Sequence, residues 1–365
     1  MRRKYFFNPK KRGHTMKALK NVNLYGEITD ILIDGGKITA IGKTDEDGVD
    51  FGGARIYPGL IDIHSHGAIG RDTMDGDLAE MARYYLSIGV TTWYPTTMTM
   101  SEEDIIRATN ADTEIEGGAN IPGFHMEGPF INVKCKGAQN ERFIVPPSME
   151  MFSRCRGLKM VTVAPEIEGA IDFISECPAV ISLGHTDTDY DTAAEAFRRG
   201  ARCLTHTFNA MPAIHHRAPG PIPAGAEYGA YAQIICDGVH VHPSVVKMLI
   251  SMYGTDRVII ISDSMRATGL GDGEYEFGGQ KITVTDGKAY TEGGALAGST
   301  TNLFECVRRA IGFGIPERDA VKMATENPAT LMGLNKGKIE VGYDADFIIV
   351  DDDFRLIRAI ARGEL

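Results

Sequence analysis

Eight short apolar, β-branched runs alternate with amphipathic stretches through the middle of this chain, and hairpin-like text brackets them at both ends. These two observations predict an α/β fold: a (β/α)8 barrel of the TIM type, with a small β-sandwich domain formed by both chain ends. A third observation places the chemistry: residues able to bind metals or move protons fall just after the runs, where such barrels carry their active sites.

Taken in order, Met1–Thr15 (MRRKYFFNPKKRGHT) has neither a strand nor a helix period, so 1–15 is read as an extension outside the fold. Residues 16–54 supply the first part of the small β domain. There Asp34-Gly35-Gly36, between ITDILI and KITAIG, is a strong hairpin signal, because tight hairpin turns need the positive φ that glycine tolerates. The barrel is expected over 55–336. Its strand runs are Arg55–Ile63, Val90–Thr96, Ile121–Met126, Lys159–Ala164, Ala179–Gly184, Arg202–Thr205, Tyr231–Cys236 and Arg257–Ser262. Helical stretches at Asp77–Ser87, Glu102–Thr109, Asp191–Arg199, Pro243–Tyr253 and Ser299–Gly312 separate many of them, several opening on Asp or Ser and closing on Gly. Residues 337–365 return to strand text, with Lys338–Val350 around a Gly-Tyr-Asp turn and then Phe354–Arg362, completing the small domain.

At 365 residues, 43% hydrophobic and 24% charged, the chain can bury a sizeable core. No apolar run reaches the roughly 18 to 20 residues of a membrane span, and the basic amino terminus lacks the apolar stretch of a signal peptide. A soluble, cytoplasmic protein is expected. A net charge of −11 argues against nucleic acid or an anionic membrane as partner. The six cysteines, Cys135, Cys155, Cys177, Cys203, Cys236 and Cys306, form no CxxC pair and read as reduced thiols.

His64 and His66 follow the first run (IDIHSHG), Glu127 the third (FHMEGPF), His185 the fifth (ISLGHTD), His206 the sixth (CLTHTFNAMP), His240 the seventh (IICDGVH) and Asp263 the eighth (VIIISDSM). In the expected barrel they converge on one mouth. On extended backbone an H-x-H pair presents both imidazoles to the same side. One histidine at a strand end is most often structural, but that reading does not account for five imidazoles and two carboxylates in equivalent places. Imidazole and carboxylate ligands suit Zn²⁺, Fe²⁺ or similar divalent ions. Trp93, Met98 and Met100 are expected to pack beneath the mouth, and Asp344-Ala345-Asp346 to be a turn of the small domain, not a metal site.

The segments PGLIDIHSHG, HMEGPFIN, GHTD, THTFNAMP, HHRAPG, CDGVH, SDSMRATGL, LAGS and TENPA, in this order, resemble the amidohydrolase superfamily and, within it, the N-acetylglucosamine-6-phosphate deacetylase family. The resemblance runs from about Met16 through nearly the whole chain. It implies that Glu127, His185 and His206 hold a primary divalent metal, that Asp263 is the catalytic acid/base, and that the enzyme works as a homodimer in amino-sugar catabolism. It implies substrate contacts from Ala138, Asn209, Ala210, Arg217, the turn Asp237–His240, and Leu296, Ala297, Gly298 and Ser299. With His64 and His66 intact, a second ion bridged by Glu127 is plausible, giving one or two ions (Zn, Fe, Mn or Co) per chain. Where many relatives have a histidine contacting the acetamido carbonyl, this chain has Gln139, an uncharged donor. Ala218 stands where glutamate is frequent.

Elementary chemistry leads to the same expectation. A divalent ion lowers the pKa of bound water from about 15.7 to about 7 and polarises a carbonyl, and Asp263 accepts the water proton and returns it to the leaving amine. The fourth run ends in Val163-Ala164-Pro165-Glu166, with its only lysine, Lys159, near the start, so Glu127 and not a modified lysine would bridge. Arg217 offers a planar fork for phosphate, with His240 and the Asn209-Ala210 backbone as further donors. The resemblance makes N-acetyl-D-glucosamine 6-phosphate the expected substrate, the alternatives being N-acetylgalactosamine 6-phosphate or another N-acyl compound.

Overall fold

The computed structural model describes residues 18–364, so the extension expected over 1–15 lies outside the described residues. The first and last described segments meet in one seven-stranded sheet. Its order is Leu356–Ile360, Phe347–Val350, Arg55–Pro58, Ala18–Leu24, Glu27–Asp34 and Lys37–Ile41, with Val49–Asp50 added beside Ala18–Leu24. The hairpin turn is made by Gly35 and Gly36 at φ of 53° and 74°, the left-handed values a two-residue turn requires. Leu19, Val22, Ile31, Ile38, Phe347 and Ile349 form this sheet's own apolar core.

The run Arg55–Ile63 divides at Gly59. Arg55–Pro58 pairs in the small sheet, and only Leu60–Ser65 enters the barrel. A Cβ on Gly59 would lie 2.2 Å from Thr91 Oγ1, so the crossing between sheets admits no side chain. Lys338–Val341, read as strand, instead forms turns leading into Phe347–Val350. Asp344 and Asp346 pair there with buried Lys336, and Asp344 also with Lys37, which accounts for the acidic pair without a metal.

The barrel strands are Leu60–Ser65, Val90–Thr97, Phe124–Glu127, Leu158–Val163, Val180–Leu183, Ala201–Leu204, Tyr231–Ile235 and Val258–Ile261, each parallel to the next. Ile61, Ile63, Tyr94, Met160, Ile235 and Ile261 fill the lower interior, and Ala329 and Leu331 of helix Glu326–Met332 plug its base. Helices Ala79–Ser87, Glu102–Thr109, Tyr190–Arg198, Pro243–Tyr253 and Leu303–Gly312 pack outside on a continuous apolar layer. Ser101, Asp189 and Asn302 cap three of them by accepting backbone N–H groups.

The first and eighth strands meet without a regular ladder. Ser262 donates its hydroxyl to Asp62 Oδ2 at 2.5 Å, and the Asp263 N–H donates to His64 O at 2.9 Å. Burial pushes the Asp62 carboxyl up to about 6, against the hydrogen bonds from Ser262 and His64 that favour its charge. A three-stranded antiparallel meander, Gly273–Phe277, Gln280–Thr285 and Lys288–Thr291, follows the eighth strand and was not foreseen from sequence. Its apolar face shares a small core with Met98, Met265 and Ala297, next to the barrel mouth. Among the described residues no helix is long and apolar enough to cross a membrane.

Candidate metal centre and active site

His64 and Glu127 project from strands, and His66 stands just past the first strand's end. His185, His206 and Asp263 each sit two residues beyond their strands in left-handed backbone, at φ of 47°, 26° and 47°. Such conformations cost on the order of 1–3 kcal/mol each for side-chain-bearing residues and persist where surroundings fix them. The fixing contacts are visible: His185 O accepts the Asn132 N–H at 2.9 Å, and Asp263 O accepts the Ser299 N–H at 2.7 Å. Ser299 and Ala297 therefore support the mouth from behind and do not line its cavity.

The six side chains converge on one spot. Glu127 Oε1 lies 3.0 Å from His206 Nε2, 3.2 Å from His64 Nε2 and 3.3 Å from His185 Nε2, while Oε2 lies 3.2 Å from His66 Nε2. The Nε2 atoms of His185 and His206 are 3.1 Å apart, and those of His64 and His66 are 3.3 Å apart. Asp263 Oδ1 stands 3.4 Å from His66 Nε2 and 3.5 Å from His64 Nε2. Nitrogens facing each other this closely need a shared proton or cation between them. Two ligand triads result, His64–His66–Glu127 and Glu127–His185–His206, each with its donor atoms within 4.8 Å of one another. That donor set fits divalent-metal coordination.

The far sides of the imidazoles support this fit. Nδ1–H of His64 donates to Gln233 Oε1 (3.0 Å), that of His66 to Thr96 O (3.2 Å) and that of His185 to Cys135 O (2.8 Å), leaving each Nε2 lone pair aimed inward. His206 Nδ1 has no such partner among the described residues. The field of the site favours positive charge. Burial works against a charged His66, yet Asp263 and Glu127 outweigh it and push the imidazole up to about 10. Burial also acts to raise Glu127, but the imidazoles around it, His64 and His185 foremost, hold its carboxyl well below the usual range. Asp263 is likewise lowered: burial opposes its charge, and His64 and His66 overcome it.

Above the carboxylates a cavity of about 420 Å³ opens to solvent. Ala138, Asn209, Ala210, His240, Leu296 and Gly298 line it, as do Gln139 and the metal-centre residues His66, Glu127, His185, His206 and Asp263. His64 lies beneath, fully buried. Asp237 is also off the wall: its Oδ2 accepts from His240 Nδ1 at 2.6 Å, so it orients His240. Burial alone would lower His240, but this contact leaves its pKa raised and that of Asp237 lowered. Arg217 is not at the cavity; it lies on an exposed turn, its guanidinium 2.6 Å from His216 Nε2. Trp93 and Met98 are buried and Met100 is half-buried, but Trp93 faces outward from the barrel, its ring 4.5 Å from that of Tyr85, and Met98 packs with the meander.

Several contributors escaped the sequence reading. Gln233, a lone amide in an otherwise apolar strand, orients His64, and that interruption was the available signal. Glu166 accepts from Asn132 Nδ2, the Thr186 hydroxyl and the Asp187 N–H, tying together the loops after the third, fourth and fifth strands. Phe277 of the meander reaches the cavity, its ring 5.2 Å from that of His66. His125, two residues before Glu127, is buried and held well below its ordinary pKa, first by burial; it contacts Thr162 Oγ1 at 2.8 Å and takes no part in the triads.

The same segments that build this centre match known proteins. Residues 55–365 match the model of the amidohydrolase family. An N-acetylglucosamine-6-phosphate deacetylase of Bacillus subtilis is 37% identical over 332 residues, covering 85% of this chain and 84% of that protein. An N-acetylgalactosamine-6-phosphate deacetylase of Escherichia coli O157:H7 is 30% identical over 373 residues, covering 96% and 99%. Among solved structures, an N-acetyl-D-glucosamine-6-phosphate deacetylase variant from Mycobacterium smegmatis, in complex with N-acetyl-D-glucosamine-6-phosphate, superposes with a TM-score of 0.90 at 29% identity, covering 96% of this chain and 99% of that one. With a parallel eight-stranded barrel, a histidine–carboxylate centre at its mouth and a family match across both, the chain belongs to the amidohydrolase family.

Proposed function

We propose that this chain is a metal-dependent hydrolase that removes the acetyl group from N-acetyl-D-glucosamine 6-phosphate, giving glucosamine 6-phosphate and acetate, in cytoplasmic amino-sugar catabolism. The observation that carries this reading is the position of Asp263: its Oδ1 stands 3.4 Å from His66 Nε2, at the edge of the metal cradle and on the wall of the substrate-sized cavity. Binding alone would not need a carboxylate there; hydrolysis does.

Glu127, His185 and His206 would hold one ion, and His64 and His66 with Glu127 a second, of Zn, Fe, Mn or Co. When bound, such ions polarise the acetamide carbonyl and acidify water. The residues of the chain do the rest. Asp263 Oδ1 takes a proton from the attacking water as its oxygen joins the acetyl carbon. It then delivers that proton to the amide nitrogen as the C–N bond breaks, because an amine leaves far more readily than an amide anion. Ala138, Leu296 and Gly298 confine the acetylated sugar, and His240, oriented by Asp237, faces the anionic end with Asn209 and Ala210. The chain acts as a homodimer in this reading. The exposed turn carrying Arg217 supports a role for that guanidinium at the cavity of the neighbouring chain, since it does not line its own.

The likeness to an N-acetylgalactosamine-6-phosphate deacetylase favours a second reading in which the galacto epimer is the substrate. Acetate release from both 6-phosphates, with metal content determined on the same sample, tests both. Preferential release from the gluco epimer is expected. No release from either refutes the proposal.

A further inference from the structure

Gln139 lines the cavity wall, where a substrate contact was expected of it, yet its amide is committed elsewhere. Its Oε1 accepts the Thr99 backbone N–H at 2.7 Å, and its Nε2 donates to Glu127 Oε2 at 2.7 Å. The remaining donor direction meets Met98 Sδ at 3.8 Å. The Thr99 amide can only donate, so the carbonyl end of Gln139 must face it and the NH₂ end must face the carboxylate. The reverse assignment would set donor against donor and oxygen against oxygen. Gln139 is 2% exposed, and the Ala138 carbonyl beside it accepts from Gln280 Nε2 of the meander at 2.5 Å, so the segment is held from both sides.

The two oxygens of Glu127 are unequally supported. Oε1 faces three imidazoles, those of His64, His185 and His206, whereas Oε2 faces His66 and Gln139. Without the amide, His66 alone among the described residues keeps Oε2 turned toward the His64–His66 half. We propose that Gln139 is a positioning residue for Glu127: its neutral N–H holds Oε2 in place so that one carboxylate spans both halves of the centre. The inference rests on the two-ion reading above. A neutral donor suits the task, because its charge-assisted bond to a carboxylate is strong without adding a positive charge that would repel the ions.

The test is a titration of metal-free protein with Co²⁺, followed by visible absorption and equilibrium dialysis, with no substrate present. The unaltered chain should take up two equivalents. Gln139→Met keeps the side chain's length and removes the donor, so the second equivalent should bind about 10- to 100-fold more weakly, the range seen when partners of metal ligands are removed, while the first is unchanged. Gln139→Asn, which withdraws the amide by one methylene, should weaken the second equivalent in the same direction and guards against a packing effect of the methionine. Far-UV circular dichroism of each metal-free variant should match the unaltered chain, as expected if the change is local. Two equivalents at undiminished affinity in both variants would overturn the inference and leave the two-ion centre standing. A single equivalent in the unaltered chain would overturn both together.

Discussion

Replacing Asp263 with asparagine removes a negative charge and a proton acceptor while changing almost no volume. The backbone should tolerate it: Asp263 sits at φ 47°, and asparagine is among the residues that adopt left-handed backbone most readily. The main-chain clasp, N–H to His64 O at 2.9 Å and carbonyl from the Ser299 N–H at 2.7 Å, uses no side-chain atom. Neither triad includes Asp263, so metal content should hold. What disappears is proton transfer at the reacting bond, worth about 10²- to 10⁴-fold for a positioned acid/base. At 1.36 kcal/mol per decade that is roughly 2.7 to 5.4 kcal/mol of barrier. Asp263→Asn should therefore show a kcat lowered by at least about 10²-fold in acetate release, with unchanged metal stoichiometry and sugar-phosphate affinity by calorimetry. A kcat within a few-fold of the unaltered chain would show that Asp263 carries no proton in the slow step.

Chelation should abolish turnover yet leave the far-UV spectrum intact, because the ligands stand above a core that Ile61, Ile63, Met160 and Ile261 fill independently; Zn²⁺, Fe²⁺, Mn²⁺ or Co²⁺ should restore activity. Changing His64 and His66 together to glutamine should lower the bound metal by one ion per chain in elemental analysis, and an unchanged count would make them structural. Arg217→Ala should cost about 10- to 100-fold in kcat/KM on the 6-phosphate and little on unphosphorylated N-acetylglucosamine, as loss of one charge-assisted hydrogen bond implies. Equal losses on both sugars would assign Arg217 to fold or assembly. The Asp237–His240 pair, which also faces Asp263, has a defined pH window. His240 contributes stability below its ordinary 6.5 and loses it as pH rises through its raised folded value; Asp237 contributes above its ordinary 3.8 and loses it as pH falls through its lowered one. KM for the 6-phosphate should thus rise on the alkaline side, and Asp237→Asn should move that rise to lower pH. A pH profile of KM that ignores the substitution would separate His240 from the phosphate.

The parts legible in sequence were those written in local periodicity. Apolar β-branched runs marked the barrel strands because both faces of a parallel barrel strand are buried, and the residues at their carboxyl ends marked the centre. Depth along a strand was not legible. His125 and Glu127 repeat the two-residue spacing of His64 and His66, yet His125 stays in the barrel interior against Thr162 and the His64 ring while Glu127 reaches the mouth. Nor did pattern alone reveal that Gly59 lies against Thr91 and splits one apolar run between two sheets. The meander's short alternating strands read like those of the small domain, and nothing local says that Phe277 docks beside His66. Gln139 was assigned its partner by analogy with the histidine of relatives; its bonds to Thr99 and Glu127 depend on two loops meeting at the end of the third barrel strand, which is tertiary information.

The seam between the first and eighth barrel strands has a bearing on how the centre comes into being. Asp62 and Ser262, which close it, are 200 residues apart, so this contact is among the least local within the barrel and carries a correspondingly large loop-closure entropy. A nascent chain that has emerged as far as His206 already possesses all five side chains proposed to hold metal, whereas Asp263 is still to be synthesised. In the proposed reading, ligand supply and proton-transfer capacity are thus separated in time along the ribosome's output: the growing protein has the side chains of both triads before Asp263, and the last barrel strand to appear closes the wall and brings Asp263 to them in a single pairing.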